Sequence, residues 1–230
     1  FLLKYSFTER KHFIENAFKL IFEHASPNSK ELFDFLLSTY SNDEFKLYIS
    51  SSLDYASSLI EKEYFDVAQK VVNNIIEYEP DNPSVYQLAL LIDCKAKNED
   101  ELKDGAIARL TNYKYVEALI SLDSKSNTTL LKNCKHAIPN SDAAQISKVI
   151  DNLISYFPEE NNLSLAIELH SIGNAFLKEK LFKYSSKYYA LAVSLDSSKH
   201  KYYWSLLKSK INKVDDDEVY LSRTKIDTLP

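Results

Sequence analysis

The stretch IIEYEPDNPSVY, residues 75–86, breaks a helical pattern and resumes it within a few residues. Proline cannot donate a backbone hydrogen bond inside a helix, and it disfavours helical geometry in the residue before it. We therefore expect one helix to end at Pro80 and another to begin near Ser84. This part of the chain is predicted to consist of helices joined by short turns.

The scarcity of glycine points to the same class of fold. The 230 residues include only Gly105 and Gly173, where average usage of about 7% would give about sixteen. Hairpin turns and phosphate-binding loops depend on glycine, so β-rich folds and glycine-rich nucleotide sites are disfavoured. Apolar residues recur instead at helical spacing, and capping boxes such as Ser41-x-x-Glu44 mark predicted helix starts. The sequence predicts an all-α protein.

Two sets of spaced residues resemble the tetratricopeptide repeat, a helix–turn–helix unit of about 34 residues with small side chains where its helices touch. The resemblance implies a right-handed superhelical solenoid of antiparallel helix pairs. An unrelated all-α bundle is the alternative. The first set precedes Pro80 and comprises Ala56, Leu59, Phe65, Ala68, Val72 and Ile75; the second comprises Ile172, Gly173, Phe176, Phe182, Tyr189, Ala192 and Val193.

The resemblance also implies a division of the chain. Residues 1–48 are expected to form N-terminal helices, as a cap or a degenerate repeat, and residues 49–199 about four repeats. A capping helix, 200–213, is expected to shield the last repeat, and a polar tail, 214–230, follows. The repeats are placed near 49–82, 83–126, 127–165 and 166–199, and the apolar residues of the cap are Tyr203, Leu206, Leu207 and Ile211.

The second predicted repeat contains an insertion. The segment KNEDELKDGA, residues 97–106, separates two helical stretches. We expect it to enlarge the turn within that repeat and to include a helical turn of its own.

Charge and composition disfavour several classes of partner. The net charge of −5 argues against binding nucleic acid by phosphate neutralisation. No apolar run approaches 18 residues, so no membrane span is expected. Cys94 and Cys134 lie far apart in the sequence, which suits a reducing compartment such as the cytoplasm. Methionine is absent, also at position 1, and the chain is expected to be a fragment.

No pattern predicts catalysis, a metal site or a cofactor. The sequence lacks both the P-loop and the dinucleotide-binding fingerprint. The pair Cys134-x-His136 has no further cysteine nearby, whereas a structural zinc site needs four ligands. We expect both cysteines to pack between helices and the protein not to be an enzyme.

The family resemblance implies a concave groove lined by the first helix of each pair. The lysines near its C-terminal end predict that an acidic or aromatic-bearing peptide docks there. Trp204, the only tryptophan, either belongs to this site or packs against Tyr188 or Tyr189. The residues predicted to line the site are Lys132, Lys135, His170, Asn174, Lys178, Lys201, Trp204 and Lys208.

One subgroup of the family grips the C-terminal carboxylate of heat-shock chaperones with lysine and asparagine. Asn174 matches the asparagine of that clamp, but His170 stands where lysine is expected. The departure places a chaperone clamp in doubt. The resemblance thus predicts a non-catalytic protein–protein interaction scaffold, a subunit of a multi-protein assembly. The alternative is a peptide-binding adaptor or co-chaperone that works through the groove.

Overall fold

The computed structural model describes residues 16–17, 31, 35, 49–123, 125–157 and 162–214. Regular secondary structure in these residues is entirely helical, with ten α-helices and two short 3-10 helices. This confirms the predicted all-α class for the described residues. The α-helices are α1 (Ile49–Glu61), α2 (Phe65–Tyr78), α3 (Pro83–Asp93), α4 (Glu99–Lys103), α5 (Tyr113–Leu122), α6 (Lys125–Ala137), α7 (Ala143–Ile154), α8 (Asn162–Lys178), α9 (Phe182–Leu195) and α10 (His200–Lys210).

Two predicted parts of the chain lie largely outside the described residues. Of the N-terminal segment 1–48, only residues 16–17, 31 and 35 are described, and Ala17 belongs to a buried core cluster. Of the predicted tail 214–230, only Val214 is described. The predicted capping helix corresponds to α10.

Neighbouring helices pack against each other within each predicted repeat. Helix α1 contacts α2, α3 contacts α5, α6 contacts α7, and α8 contacts α9 most extensively of all. Helix α8 begins at Asn162, four residues before the predicted start of the last repeat. The repeat family and the handedness of a solenoid stay predictions.

The chain divides into two compact units. The first contains the described residues up to Glu99 together with Leu110–Asp123, and the second contains Asp100–Arg109 and the described residues that follow Ser124. The insertion predicted from KNEDELKDGA does form a helical turn, α4, followed by a 3-10 helix at Ala106–Arg109. The chain therefore enters the second unit for ten residues, returns to the first, and leaves it again.

The predicted helix break at Pro80 is present. Helix α2 ends at Tyr78, and Pro83 is the first residue of α3, where a missing N–H costs nothing. The Asn82 side chain caps α3 by accepting a hydrogen bond from the Ser84 N–H at 3.1 Å. Between the two helices, the Tyr86 hydroxyl donates to the carbonyl of Pro80 at 2.8 Å.

The first unit has its own apolar core, to which α1, α2 and α3 contribute. Polar bonds connect α3 to the start of α5. The Asp93 carboxylate accepts from the Thr111 N–H, the Thr111 hydroxyl and the Asn112 N–H at 2.6, 2.7 and 2.9 Å. The core includes Tyr55, Ala56, Leu59, Ala68, Val72, Ile75, Val85 and Ala89.

In the second unit, the 3-10 helix at Ala106–Arg109 packs against both α6 and α7. Gly105 precedes it with a φ of +123°, a conformation that L side chains rarely adopt. A Cβ at this position would also lie 3.1 Å from the Asn140 carbonyl oxygen. Asp142 caps α7 by accepting from the N–H groups of Ala144 and Gln145.

Four of the described helices end in a Schellman motif, in which a residue just past the helix adopts a left-handed conformation. After α8, the Lys180 N–H donates to the Leu177 carbonyl and the Leu181 N–H to the Phe176 carbonyl, both at 2.9 Å. The left-handed residue is not glycine in any of the four. These residues are Glu63, Lys95, Lys180 and Asn212, with φ values of 65°, 51°, 58° and 57°.

Candidate functional site

Among the described helices, the most closely packed pair is α8 and α9, and three of the eight predicted site residues lie on α8. Gly173 on α8 lies directly beneath the Tyr189 ring, and a Cβ there would be 2.6 Å from two ring carbons. Glycine at this position is therefore a packing requirement. The close approach brings the Tyr189 hydroxyl within 2.7 Å of the Asn174 side-chain oxygen, to which it donates.

His170 lies at the centre of a hydrogen-bonded cluster between α8, α9 and α10. The Asn174 amide donates to His170 Nδ1 at 3.4 Å, so the neutral ring carries its proton on Nε2. Nε2 lies 3.0 Å from the Ser205 hydroxyl. The imidazole centre is 4.7 Å from that of the Tyr202 ring and 5.4 Å from that of the Tyr189 ring.

The surroundings of His170 favour its neutral form. Its side chain is 6% exposed. Burial above all, and then the positive charges of Lys201 and Lys208, lower the pKa of His170 from 6.5 to about 4. The imidazole is neutral at pH 7 and serves as a hydrogen-bonding hub within the second unit.

The lysines of the predicted site lie on three helices. Lys132 is exposed on α6 and lies 4.0 Å from the Glu168 carboxylate on α8. Lys135 is half-buried on α6, and Lys178 is exposed at the end of α8. Lys201 and Lys208 lie on α10 and act electrostatically on His170.

Of the eight predicted residues, four are close enough to interact. His170 and Asn174 share a hydrogen bond, and the charges of Lys201 and Lys208 act on the histidine. Within this group Asn174 and Lys201 are exposed, Lys208 is half-buried and His170 is buried. Trp204 is half-buried on α10. Lys132 lies near Glu168 instead, Lys135 lies in the last turn of α6, and Lys178 lies in the last turn of α8.

Sequence reasoning missed the three residues that hold His170 in place, Tyr189, Tyr202 and Ser205. Tyr189 was assigned to the repeat pattern and named as a possible packing partner of Trp204, and the other two were assigned no role. A serine and a tyrosine on an otherwise amphipathic helix carry no local signal of a distant histidine partner. The cluster forms only when α8, α9 and α10 come together.

The capping helix α10 differs from the prediction. Its Tyr203, Leu207 and Ile211 were expected to cover the last repeat, but these side chains are 46%, 45% and 38% exposed. The helix instead turns Tyr202, Ser205 and Ser209 inward. The bonds that these serines form, described below, account for the difference.

A second polar cluster links α7 to α9. The Tyr188 hydroxyl donates to the Ser147 carbonyl at 3.0 Å and lies 2.7 Å from the Ser147 hydroxyl. The Lys187 amine forms an ion pair with Asp151 and donates to the Ser147 hydroxyl at 3.2 Å. Burial is the main cause that raises the pKa of Tyr188 above its usual range. These bonds fix the two helices to each other.

Each unit also has an open cleft. In the first unit, a cleft of about 410 Å³ lies beside the α1–α2 turn, where the Lys95 amine is 5.1 Å from the centre of the Phe65 ring. In the second unit, a polar cleft of about 450 Å³ is lined by Glu101, Asp104 and Arg109 from one side and by Asn140 and Gln145 from the other.

Among the described residues, no group of three or more histidine, cysteine or acidic side chains is arranged to hold a metal ion. Within the same part of the chain, no helix combines the length and the apolar character needed to cross a membrane. Cys94 and Cys134 are both buried, as the sequence predicted for thiols that pack between helices.

Comparison with protein-family models, with curated proteins and with solved structures found no match.

Proposed function

We propose that the chain is a non-catalytic protein–protein interaction scaffold and acts as a subunit of a multi-protein assembly in the cytoplasm. One observation carries the proposal. Large apolar side chains lie exposed in rows on the second unit, with Leu163 and Ile167 of α8 at 64% and 60% exposure. Adjacent exposed apolar residues on a folded domain are typical of interaction surfaces.

The spacing of these residues strengthens the argument. Leu163 and Ile167 are one helical turn apart, so they share a face of α8. Tyr203 and Leu207 repeat the same spacing on α10, and Ile211 continues it at the residue that follows the helix. Single exposed apolar residues are common on protein surfaces, but rows of them at the helical period provide a surface that a partner can cover.

The second candidate function is an adaptor that binds an acidic or aromatic-bearing peptide through the predicted groove. The observation that favours it is the positive charge around Asn174. Lys201 and Lys208 are close enough to His170 to lower its pKa, and Asn174 and Lys201 are exposed beside it. Such a surface would bind carboxylates by charge-assisted hydrogen bonds.

Affinity purification from native extract with mass spectrometry separates the two functions. The wild-type protein is compared with the groove variant Asn174→Ala/Trp204→Ala and with the outer-face variant Leu163→Ser/Ile167→Ser. Circular dichroism establishes that each remains folded. A stoichiometric set of proteins that survives the groove change but not the outer-face change supports the scaffold.

Selective loss of one partner in the groove variant would favour the adaptor instead. Charge reversal of Lys132, Lys135 and Lys208 then tests whether that partner is acidic, because the reversed variant should lose its affinity. Recovery of no partner with the wild-type protein would contradict both functions.

A further inference from the structure

The last helix, α10, buries hydroxyl groups and exposes apolar side chains. Ser205 and Ser209 are 5% and 1% exposed. Leu207 and Ile211 are 45% and 38% exposed, although they lie between and beside the buried serines. A helix that packs on a domain ordinarily turns its apolar stripe toward the core and its polar residues outward.

Hydrogen bonds hold α10 in this orientation. The Ser205 hydroxyl lies 3.0 Å from His170 Nε2 on α8, and the Ser209 hydroxyl lies 2.8 Å from that of Ser186 on α9. Rotating α10 to bury Leu207 would carry both serines into solvent and leave His170 Nε2 and the Ser186 hydroxyl without these partners. An unsatisfied buried polar group costs about 1–3 kcal/mol. The outward position of the apolar stripe therefore follows from bonds that the helix makes on its other side.

Lysines border the exposed stripe on both sides. At about 100° per residue, Tyr203, Leu207 and Ile211 form one stripe directly opposite the buried serines. Lys199 and Lys210 fall on one side of the stripe, and Lys201 and Lys208 on the other. Residues 197–214 include five lysines and no acidic residue. This segment is therefore basic, whereas the whole chain has a net charge of −5.

We propose that the outward face of α10, formed by Tyr203, Leu207 and Ile211 between its lysines, binds an amphipathic helix of a partner protein whose apolar stripe is bordered by acidic residues. The inference rests on the proposed scaffold function and specifies the chemistry of one partner. Apolar packing supplies the contact, and the opposite charges on the two flanks select the partner and fix its register.

The spacing of the stripe favours a helix as the occupant. Residues four apart form a ridge, and such ridges fit into the grooves of a second helix. From Tyr203 to Ile211 the ridge is about 12 Å long, the rise of eight helical residues. Insertion into a bilayer would require side chains that reach about 5–10 Å into the headgroup region, whereas more than half of each of these side chains is already covered.

The proposal is tested with the full-length chain and three matched synthetic peptides. The first is a fluorescein-labelled amphipathic helix with a leucine stripe and glutamate flanks. The second has lysine flanks, and the third keeps the glutamates but has serine in place of leucine. Fluorescence anisotropy should show affinity for the first peptide at least about tenfold higher than for the others.

Two sets of variants locate the binding surface. Leu207→Ser/Ile211→Ser and Lys201→Glu/Lys210→Glu should each weaken binding of the first peptide at least about tenfold. The matched controls are Leu122→Ser for apolar exposure and Lys148→Glu/Lys183→Glu for charge, and they should bind like the wild type. All four change exposed side chains, so their circular dichroism spectra should match that of the wild type.

Several outcomes would overturn the proposal. Equal affinity for the three peptides, or undiminished binding by the Leu207→Ser/Ile211→Ser variant, would show that the face does not select such a helix. Co-sedimentation with phosphatidylserine vesicles through this face would assign it to a bilayer, and concentration-dependent dimerisation through it would assign it to a second copy. Binding of the first peptide that appears only after removal of residues 215–230 would assign the face to the chain's own C-terminal segment.

The same variants distinguish failure of this inference from failure of the scaffold function. Stable partners that are recovered equally with wild-type protein and with Leu207→Ser/Ile211→Ser would leave the scaffold function standing and overturn the role of α10. Loss of one partner from that variant, together with selective binding of the glutamate-flanked peptide, would support both.

Discussion

The ends of four helices place a side chain where glycine is usual. Glu63, Lys95, Lys180 and Asn212 all have a left-handed backbone two residues past the last residue of a helix. This conformation brings Cβ close to the following carbonyl and costs about 1–2 kcal/mol for a residue that has a side chain. Helix ends in this protein therefore tolerate backbone strain that glycine would remove, and the two glycines present lie elsewhere.

Lys180→Gly should stabilise the protein by about 0.5–1 kcal/mol. The gain from relieving the left-handed strain exceeds the extra entropy that glycine gives to the unfolded chain. Urea denaturation followed by Trp204 fluorescence measures the change. Ala190→Gly, on the exposed face in the middle of α9, is the control and should destabilise by about 1 kcal/mol; a loss of stability in Lys180→Gly would contradict the strain argument.

Gly173→Ala should destabilise the protein by about 1–3 kcal/mol, even though alanine is the better helix former. The added Cβ would meet the Tyr189 ring at 2.6 Å. In a double-mutant cycle with Tyr189→Leu the penalty should shrink, because the smaller side chain leaves room for the methyl group. A stabilised Gly173→Ala variant would mean that the two helices pack less closely than described.

His170 should make stability depend on pH between about 4 and 6.5. Its pKa is about 4 in the folded protein and near 6.5 when unfolded, so the unfolded state binds more protons within this window. Stability is therefore full above pH 6.5 and falls on acidification through the window, by roughly 2 kcal/mol. Urea denaturation at several pH values measures it.

The variant His170→Gln should flatten this pH dependence relative to wild type. Carboxylates also titrate near the lower end of the window, so the quantity to compare is the difference between the two proteins. Identical profiles for wild type and His170→Gln would contradict the burial of His170.

At the scale of helices, α7 and α9 are joined by buried hydrogen bonds and by one ion pair. Tyr188→Phe should destabilise the protein by about 1–2 kcal/mol, because it removes the hydroxyl that donates to the Ser147 carbonyl. Ser147→Ala keeps that carbonyl but removes the hydroxyl that lies 2.7 Å from the Tyr188 hydroxyl. The two changes should therefore be non-additive by about 0.5–1 kcal/mol in thermal unfolding. Tyr203→Phe, on the exposed face of α10, should have little effect; strict additivity would show that the pair does not interact.

Helices whose pattern is local could be predicted from the sequence. Pro80 and Pro83 mark the break between α2 and α3 because proline acts on its immediate neighbours. The helical turn in the segment 97–106 was likewise predicted. The inverted face of α10 was not, because Leu207 and Ile211 look like core residues until the bonds of Ser205 and Ser209 are known.

The candidate site was predictable in part for the same reason. Helical spacing places His170 and Asn174 one turn apart, and the structure confirms that they touch. Spacing cannot show that His170 is buried, because burial depends on Tyr202 and Tyr189 from helices that follow later in the chain. Whether the exposed lysines line a groove stays a prediction.

At the scale of the whole molecule, the first unit is built from two separate stretches of chain. Its helix α5 follows the ten-residue excursion into the second unit and packs against α3. The Gln69 amide also donates to the Tyr115 hydroxyl at 3.1 Å. The unit is therefore incomplete at Glu99, although three of its four described helices precede that residue.

A fragment of residues 1–123 should fold cooperatively, whereas a fragment of residues 1–99 should not. The shorter fragment lacks the cover that Val116 and Leu119 of α5 provide, and both side chains are buried. Circular dichroism with urea denaturation distinguishes a sigmoidal transition from a gradual one. Equal cooperativity of the two fragments would show that α5 contributes little to the first unit.

The excursion of residues 100–109 also sets an order of events during translation. Leu102 and Ile107 are synthesised before the α6 and α7 segments that contact the 3-10 helix at Ala106–Arg109. At about 5–20 residues per second, synthesis through Ile154 takes roughly 2–9 s longer. During that interval the nascent chain holds an apolar segment whose native neighbours do not yet exist, and this is the stage at which a chaperone would have most to protect.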